Sequence, residues 1–209
     1  MSSIIMHIYI SQKVQKELNL SNKFLAGAIL PDMIKIMTKS KDITHYIKEY
    51  ERGDKIIKLP DLENFLQDNK EKLNDEVTLG YYAHLIEDKI WFDEYIGSFA
   101  KCIDKENILY ISDNTVHSYQ EFKKDIYSDY KNVDSYIIEK GNLDINKIRL
   151  AIKDDLRGYN VDKIIDENVV FPIKSIDEKN NFISIEFLNK YIDESIKKVK
   201  EEINRIVGE

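Results

Sequence analysis

The segment from residue 75 to residue 97 constrains the fold most, because it predicts a long helix that is apolar on most of its faces. Its stripes, at three- and four-residue spacing, are Val77, Tyr81, His84, Asp88 and Trp91; Tyr82, Leu85, Phe92 and Ile96; and Ala83, Ile86 and Ile90. A helix that is apolar on most sides is surrounded by protein. We therefore predict a central, buried helix on which the other segments pack.

Helix-breaking residues are scarce in this chain. Its 209 residues include 7 glycines and 3 prolines, whereas a sandwich or barrel needs many turns. The length is sufficient for one sizeable core. These features predict an all-α, single-domain multi-helix bundle over residues 1–209, in which residues 140–209 form a helical extension that packs on the rest.

Apolar periodicity predicts where the other helices lie. The predicted helices are 4–18, a second from residue 22 to near Pro31, a short one after Pro60-Asp61, and then 115–139, 145–156 and 184–207. A loop is predicted over 38–60, with a turn at Gly53-Asp54. His7 falls on the apolar stripe of the first helix and is predicted to face inward.

Charge and cysteine content limit the partners and the compartment. The net charge of −7 argues against electrostatic binding to nucleic acid or to an anionic membrane. A lone cysteine, Cys102, excludes an intramolecular disulfide. The first residues show no signal-peptide pattern, and no apolar run approaches the length of a membrane span. We expect a cytoplasmic protein without a transmembrane anchor.

His84 and Asp88 are the strongest candidate metal ligands. They lie four residues apart on the central helix, about 40° around its axis, so both side chains point to one patch. Histidine with carboxylate suits zinc and other divalent first-row metals. A structural His–Asp hydrogen bond in the core explains the pair equally well.

The other candidates each have a structural alternative as well. Asp32 follows Pro31 after a run of small and apolar residues, which suggests a carboxylate delivered to the interior. The alternative for Asp32 is an ordinary turn aspartate, that for His45 is a surface histidine, and that for His7 is a core histidine. His117 and Glu121 share a face of the predicted helix 115–139, and their alternative is a pair that faces water.

In chain order these residues resemble the zinc-dependent phospholipase C superfamily. It includes bacterial phospholipases C, fungal single-strand nucleases and the catalytic domain of glycosylphosphatidylinositol-specific phospholipase D. The matching segments, all within residues 1–125, are His7, Gly27-Ala-Ile-Leu-Pro31-Asp32, Thr44-His45, Gly80-Tyr-Tyr-Ala-His84-Leu-Ile-Glu-Asp88, and His117-Ser-Tyr-Gln-Glu121. The segment around His84 is the most specific of them.

The resemblance implies an all-helical fold of this type and two or three zinc ions. The implied ligands are Asp32, His45, His84 and Asp88 for the first metal, Asp88 as a bridge and His7 for the second, and His117, Glu121 and Glu94 for the third. Glu94 stands where the family has a histidine, so manganese or iron would also suit that third site. Secreted relatives also use a mature N-terminal amine as a ligand, which a chain without a leader is not expected to share.

The implied activity is that of a phosphoesterase in which a metal-bridged hydroxide attacks a phosphodiester, with Asp32 as the residue that orients or deprotonates the nucleophile. A small phosphoester or a phospholipid is the expected substrate, and the acidic balance argues against nucleic acid. Two alternatives stay open. One is a phosphohydrolase of the HD-domain type, which the absence of a His-Asp dipeptide disfavours, and the other is a non-catalytic helical metal-binding or interaction module.

Overall fold

The computed structural model describes residues 2–52, 55–166 and 180–208. Within these ranges helices α1 to α10 span, in order, Ile4–Leu18, Asn22–Thr38, Lys41–Thr44, Leu62–Asp68, Glu76–Ile90, Gly97–Phe99, Tyr119–Lys140, Ile145–Lys153, Val161–Ile165 and Ile185–Val207. Strands β1 to β5 span Ile47–Arg52, Lys55–Pro60, Ala100–Cys102, Asn107–Tyr110 and Thr115–Ser118. A 3-10 turn covers Lys70–Lys72, and a π-helical segment, Trp91–Ile96, continues α5.

The all-α prediction is wrong, because two small antiparallel sheets accompany the helices, and the fold is mixed. β1 and β2 form a hairpin in which Ile47 lies opposite Pro60. β3, β4 and β5 form a meander in which Ile108 pairs with His117. Each strand is six residues long or shorter, so none carries enough alternation to stand out from the surrounding polar sequence.

Two sequence predictions of local structure change with these sheets. The loop predicted over 38–60 is wrong, since α3 and the β1–β2 hairpin occupy most of it, while its turn at Gly53-Asp54 lies outside the described residues. The helix predicted from residue 115 begins only at Tyr119, because Ser118 caps it and residues 115–118 pair with β4. The predicted helices 4–18 and 184–207 are confirmed as α1 and α10.

The central helix is confirmed, and its closest neighbour is α2. A Cβ atom at Gly27 would lie 2.0 Å from the carbonyl oxygen of Val77, and one at Gly80 would lie 2.0 Å from that of Phe24. No side chain fits at either position, so the two glycines allow the α2 and α5 backbones to touch. This contact brings the carbonyl of Ala28 to the ring of His84.

We expect Gly80→Ala to destabilise the fold, because its methyl group would collide with a backbone that cannot move aside. Overpacking of this kind typically costs about 1–3 kcal/mol of unfolding free energy. Gly97→Ala is the matched control, since its added Cβ would meet only the Phe92 carbonyl at 3.9 Å, an ordinary contact. Urea unfolding of both variants measures the difference. Equal urea midpoints of unfolding for the two variants would contradict the close contact between α2 and α5.

Helix α2 runs through Pro31 to Thr38 instead of ending near the proline. Proline lacks an N–H, so the carbonyl of Gly27, four residues earlier, loses its helical donor, and an isolated helix would break there. The glycine contact with α5 holds the turn of α2 that precedes this position. As a result Asp32 lies inside a helix, buried, and is not a residue at a helix terminus.

The C-terminal helix α10 packs against α1 and α5. Its buried stripe consists of Leu188, Tyr191, Ile192, Ser195, Val199 and Ile203. The Tyr191 hydroxyl donates to the carbonyl of Glu87, which ties α10 to the C-terminal half of α5. Within the described ranges, none of the helices is both long and apolar enough to span a membrane.

A buried carboxyl group on α7 anchors the start of α1. Asp134 accepts a hydrogen bond from the hydroxyl of Ser3, and that hydroxyl accepts the N–H of Met6 at 3.1 Å to cap α1. Burial raises the pKa of Asp134 to about 7, against a small opposing effect of the Ser3 hydrogen bond. The folded protein therefore holds the Asp134 proton more tightly than the unfolded chain does.

This carboxyl group predicts a pH-dependent stability. Its contribution is fully present below the unfolded pKa of about 3.8 and is lost as the pH rises through about 7. Between these values the wild-type unfolding free energy should lose about 1.4 kcal/mol per pH unit relative to Asp134→Asn, whose amide does not titrate. Urea unfolding of both proteins at several pH values tests this. If the unfolding free energies of the two proteins change with pH in parallel, the pKa of Asp134 is not raised.

Candidate metal centre

Five side chains from four parts of the fold meet in the interior. They are His7 from α1, Asp32 from α2, His45 directly after α3, and His84 and Asp88 from α5. Four of the five have no exposed surface, and Asp32 is 4% exposed. Two groups, one of His7, Asp32 and His84 and one of His45, His84 and Asp88, each have ligand atoms within 4.8 Å of one another. The structure thus brings together the residues predicted for the first two metals.

Three atoms of this cluster are buried without a hydrogen-bond partner. They are Nε2 of His45, Nε2 of His84 and Oδ2 of Asp88. A buried polar atom without a partner typically costs about 1–3 kcal/mol. These atoms belong to three residues whose ligand atoms lie within 4.8 Å of one another, and a bound cation would satisfy all three, so the donor set fits a metal ion.

The histidine tautomers also fit metal binding. His84 Nδ1 lies 2.7 Å from the carbonyl oxygen of Ala28, which can only accept, so Nδ1 carries the proton and Nε2 keeps its lone pair. His45 Nδ1 lies 2.8 Å from the Thr44 hydroxyl, which can itself donate to the Ser40 carbonyl at 3.0 Å and so accept the proton of His45. A metal-binding histidine is usually oriented by such a hydrogen bond through its other nitrogen.

His7 is held by a buried carboxylate. Its Nδ1 lies 2.6 Å from Glu87 Oε2, and its ring stacks on that of His84 at 3.7 Å between centroids. Its Nε2 lies 2.7 Å from the Ser2 hydroxyl and 3.5 Å from Asp88 Oδ1. Burial lowers the pKa of His7, but Asp88 and Glu87 together raise it to about 10. Metal binding at neutral pH would therefore displace a proton from His7.

Asp32, Asp88 and His84 have the protonation states that a metal needs. Burial would raise the pKa of Asp32, but its contact with His45 and the charge of Lys35 hold it well below its usual range. Burial also opposes ionisation of Asp88, but contact with His7 is among several effects that together hold the pKa of this carboxyl group well below its usual range. The pKa of His84 is lowered by burial and by the charge of His7, so this imidazole is neutral.

Asp88 occupies the middle of the cluster. Its Oδ1 accepts the backbone N–H of Ser2 at 3.0 Å and faces His7, whereas its Oδ2 lies 3.9 Å from His45 Nε2. The two oxygens therefore face different histidines. This arrangement suits a carboxylate that lies between His7 and His45.

The structure does not bring the predicted third-site residues to the cluster. None of the metal-ligand groups among the described residues includes His117, Glu121 or Glu94. The shared helix face predicted for His117 and Glu121 is wrong, because His117 lies on β5 and stacks on Tyr110 at 3.8 Å. Glu121 completes the capping box of α7 with Ser118, at 2.8 Å.

The predicted third ligand from the central helix also lies elsewhere. Glu94 is exposed on the π-helical segment and lines a surface groove with Glu194 and Lys198 of α10. The π-helical turn changes the angular position of residues after Ile90, so a helical wheel drawn through residue 97 misplaces Glu94 relative to His84.

The sequence analysis missed the groups that support the ligands. Glu87 carried a usable signal, since it is an acidic residue on a helix that is apolar on most faces. Lys35, whose Nζ lies 2.7 Å from Asp32 Oδ1, carried a weaker one, because it follows Asp32 by one helical turn. The Ala28 carbonyl carried none, since its position depends on the contact between α2 and α5.

We expect Glu87→Gln to weaken metal binding by about 10–100-fold, the usual effect of losing a carboxylate that orients a ligating histidine. Glutamine keeps the shape of the side chain but removes the charge that holds the His7 ring and balances it in the buried site. Zinc titration monitored by calorimetry measures the affinity. Glu63→Gln, on the exposed side of α4, is the control. Equal zinc affinities in the two variants would show that Glu87 does not support metal binding.

No family model, curated protein or solved structure matches this chain. The centre is therefore interpreted from its own geometry. It consists of three histidines and two aspartates, buried together, and three of its ligand atoms have no hydrogen-bond partner.

Proposed function

We propose that this protein is a metal-dependent phosphoesterase whose active site is the cluster of His7, Asp32, His45, His84 and Asp88. The observation that carries the proposal is the set of three unpartnered buried ligand atoms on His45, His84 and Asp88. Zinc is the metal that three imidazoles and two carboxylates suit best, with manganese and iron as further first-row candidates. The order of these residues along the chain, which resembles the phospholipase C superfamily, supports a phosphoester as the substrate.

Each side chain has a distinct role in this proposal. His45, His84 and Asp88 would hold one ion, and His7 with Asp88 would hold a second. A bound divalent ion lowers the pKa of water to about 7 and so supplies a nucleophile at neutral pH. Asp32 is the residue that orients this water or takes its proton. Lys35, through its 2.7 Å contact, keeps Asp32 ionised for that role.

A second candidate is a structural metal site without catalysis. It is favoured by the burial of the cluster, because His7, His45, His84 and Asp88 have no exposed surface, and structural zinc sites are closed. The two candidates agree on metal binding and differ on turnover. Activity therefore has to be measured together with metal content.

The test begins with elemental analysis of untagged protein purified without chelator. The proposal expects two zinc, manganese or iron ions per chain, and their loss in His84→Ala. It also expects hydrolysis of bis(p-nitrophenyl) phosphate that stops with chelator and returns with metal. Metal without hydrolysis of this ester or of a panel of phosphomonoesters would favour the structural site. A protein that takes up no metal at all would refute both candidates.

His45→Asn separates this proposal from the HD-type alternative. Only the phospholipase C-like arrangement uses a histidine from the segment after α3 as a ligand. We expect this variant to bind fewer metal ions than the wild type. If His45→Asn binds as many metal ions as the wild type, the resemblance to the phospholipase C superfamily no longer supports the proposal, although the protein still binds metal.

A further inference from the structure

Two lysines lie next to residues of the candidate metal centre, Lys35 beside Asp32 and Lys41 beside His45, whose N–H donates to the Lys41 carbonyl at 2.9 Å. Lys35 is one helical turn beyond Asp32 on α2 and donates to Asp32 Oδ1 at 2.7 Å. Lys41 opens α3, four residues before His45, and its Nζ lies 4.5 Å from the centre of the Phe92 ring. Lys41 is half-buried, and its charge interacts with those of Asp88, Asp32 and Lys35.

The position of Lys41 is unusual for a lysine. Within the described residues no carboxylate lies at ion-pair distance from its Nζ, although the exposed Asp42 is its neighbour in sequence. Burial lowers the pKa of Lys41. The charge of Asp88 opposes this change, the charge of Lys35 adds to it, and Asp32 and Asp42 have smaller opposing effects. A half-buried ammonium group with only an aromatic face beside it is available to bind an anion.

Metal binding would strengthen this need for an anion. In the metal-free protein Asp32 and Asp88 offset part of the positive charge of the two lysines. Divalent ions bound to the same carboxylates would neutralise that negative charge. The positive charge of two such ions exceeds the negative charge of the two carboxylates. The loaded site, with two ammonium groups beside it, would then have a surplus of positive charge.

This inference rests on the proposed function and refines its substrate. We infer that Lys41, together with Lys35, binds the phosphoryl oxygens of the substrate and makes the site prefer a terminal, dianionic phosphate over a monoanionic phosphodiester. The substrate class is a phosphomonoester. A dianion matches the positive surplus more closely, and it offers one more unesterified oxygen, which would accept a hydrogen bond from the Lys41 ammonium group.

The test compares the binding of two probes to the zinc-loaded protein by calorimetry. Inorganic phosphate represents the dianion, and dimethyl phosphate represents the diester. The wild type should bind phosphate at least about tenfold more tightly than dimethyl phosphate, as one charged hydrogen bond would give. Lys41→Met should lose about tenfold or more in phosphate affinity and change little toward dimethyl phosphate. Lys16→Met, an exposed position on α1, makes the same change of charge and should leave both affinities as they are.

Metal content measured on the same samples separates the possible failures. If the wild type holds no metal, the proposed function fails and this inference fails with it. If metal is present and Lys41→Met binds phosphate as Lys16→Met does, only the inference is overturned, and Lys41 is a packing partner of Phe92. Should Lys41→Met unfold below the assay temperature, Lys41→Gln is judged by the same comparison. Lys41→Arg keeps the charge and should keep the preference for phosphate.

Discussion

Asp88→Asn is expected to abolish metal binding, more completely than any other single substitution that preserves shape. The two oxygens of Asp88 lie near different histidines, His7 and His45, so the variant would lose the charged ligand that the two proposed ions share. An amide is a poor substitute, because it brings no negative charge to a buried cation. We expect an affinity loss beyond the 10–100-fold typical of supporting residues, on the order of 1,000-fold. Phosphoesterase activity should fall in parallel.

Glu94→Gln is the matched control for this prediction. The family resemblance assigns Glu94 to a third metal, whereas the structure places it on the surface beside α10. The same Asp/Glu-to-amide change should therefore leave metal content and activity at wild-type levels. Elemental analysis after dialysis measures both variants. Retention of metal by Asp88→Asn, or its loss from Glu94→Gln, would show that the buried cluster is not the metal centre.

Removal of the metal is expected to lower the stability of the whole protein substantially. The residues of the centre come from α1, α2, the segment after α3, and α5, so the two ions would connect elements that are distant in sequence. A ligand that binds only the folded state contributes about 4 kcal/mol at a free concentration 1,000 times its dissociation constant. For a chain of this length that corresponds to a fall in Tm of roughly 8–16 °C.

Differential scanning calorimetry with and without chelator measures this effect. The physical reason is that chelation leaves Nε2 of His45, Nε2 of His84 and Oδ2 of Asp88 buried without partners. Asp88→Asn is the control, because a protein that no longer binds metal should melt at the same temperature with and without chelator. A wild-type Tm that chelator does not change, in protein shown to contain metal, would mean that the ion is not part of the folded core.

The individual helices follow from local sequence. α1 and α10 begin and end within a residue of their predicted bounds, because long amphipathic patterns with serine caps specify a helix without help from distant residues. The inward placement of His7 and the shared patch of His84 and Asp88 follow from the same periodicity. The sequence alone therefore determined the main helices and the residue types available for a metal.

Only the tertiary structure decided which of those residues meet. Asp32 reaches the cluster because α2 continues through Pro31, which the contact of Gly27 and Gly80 with α5 makes tolerable. That contact also places the Ala28 carbonyl on His84, fixing the tautomer that frees Nε2. His117 and Glu121 match the same motif in sequence, yet a strand and a helix cap occupy them instead. Spacing along a chain sets which side chains can share a face, whereas packing between helices and strands sets which faces meet.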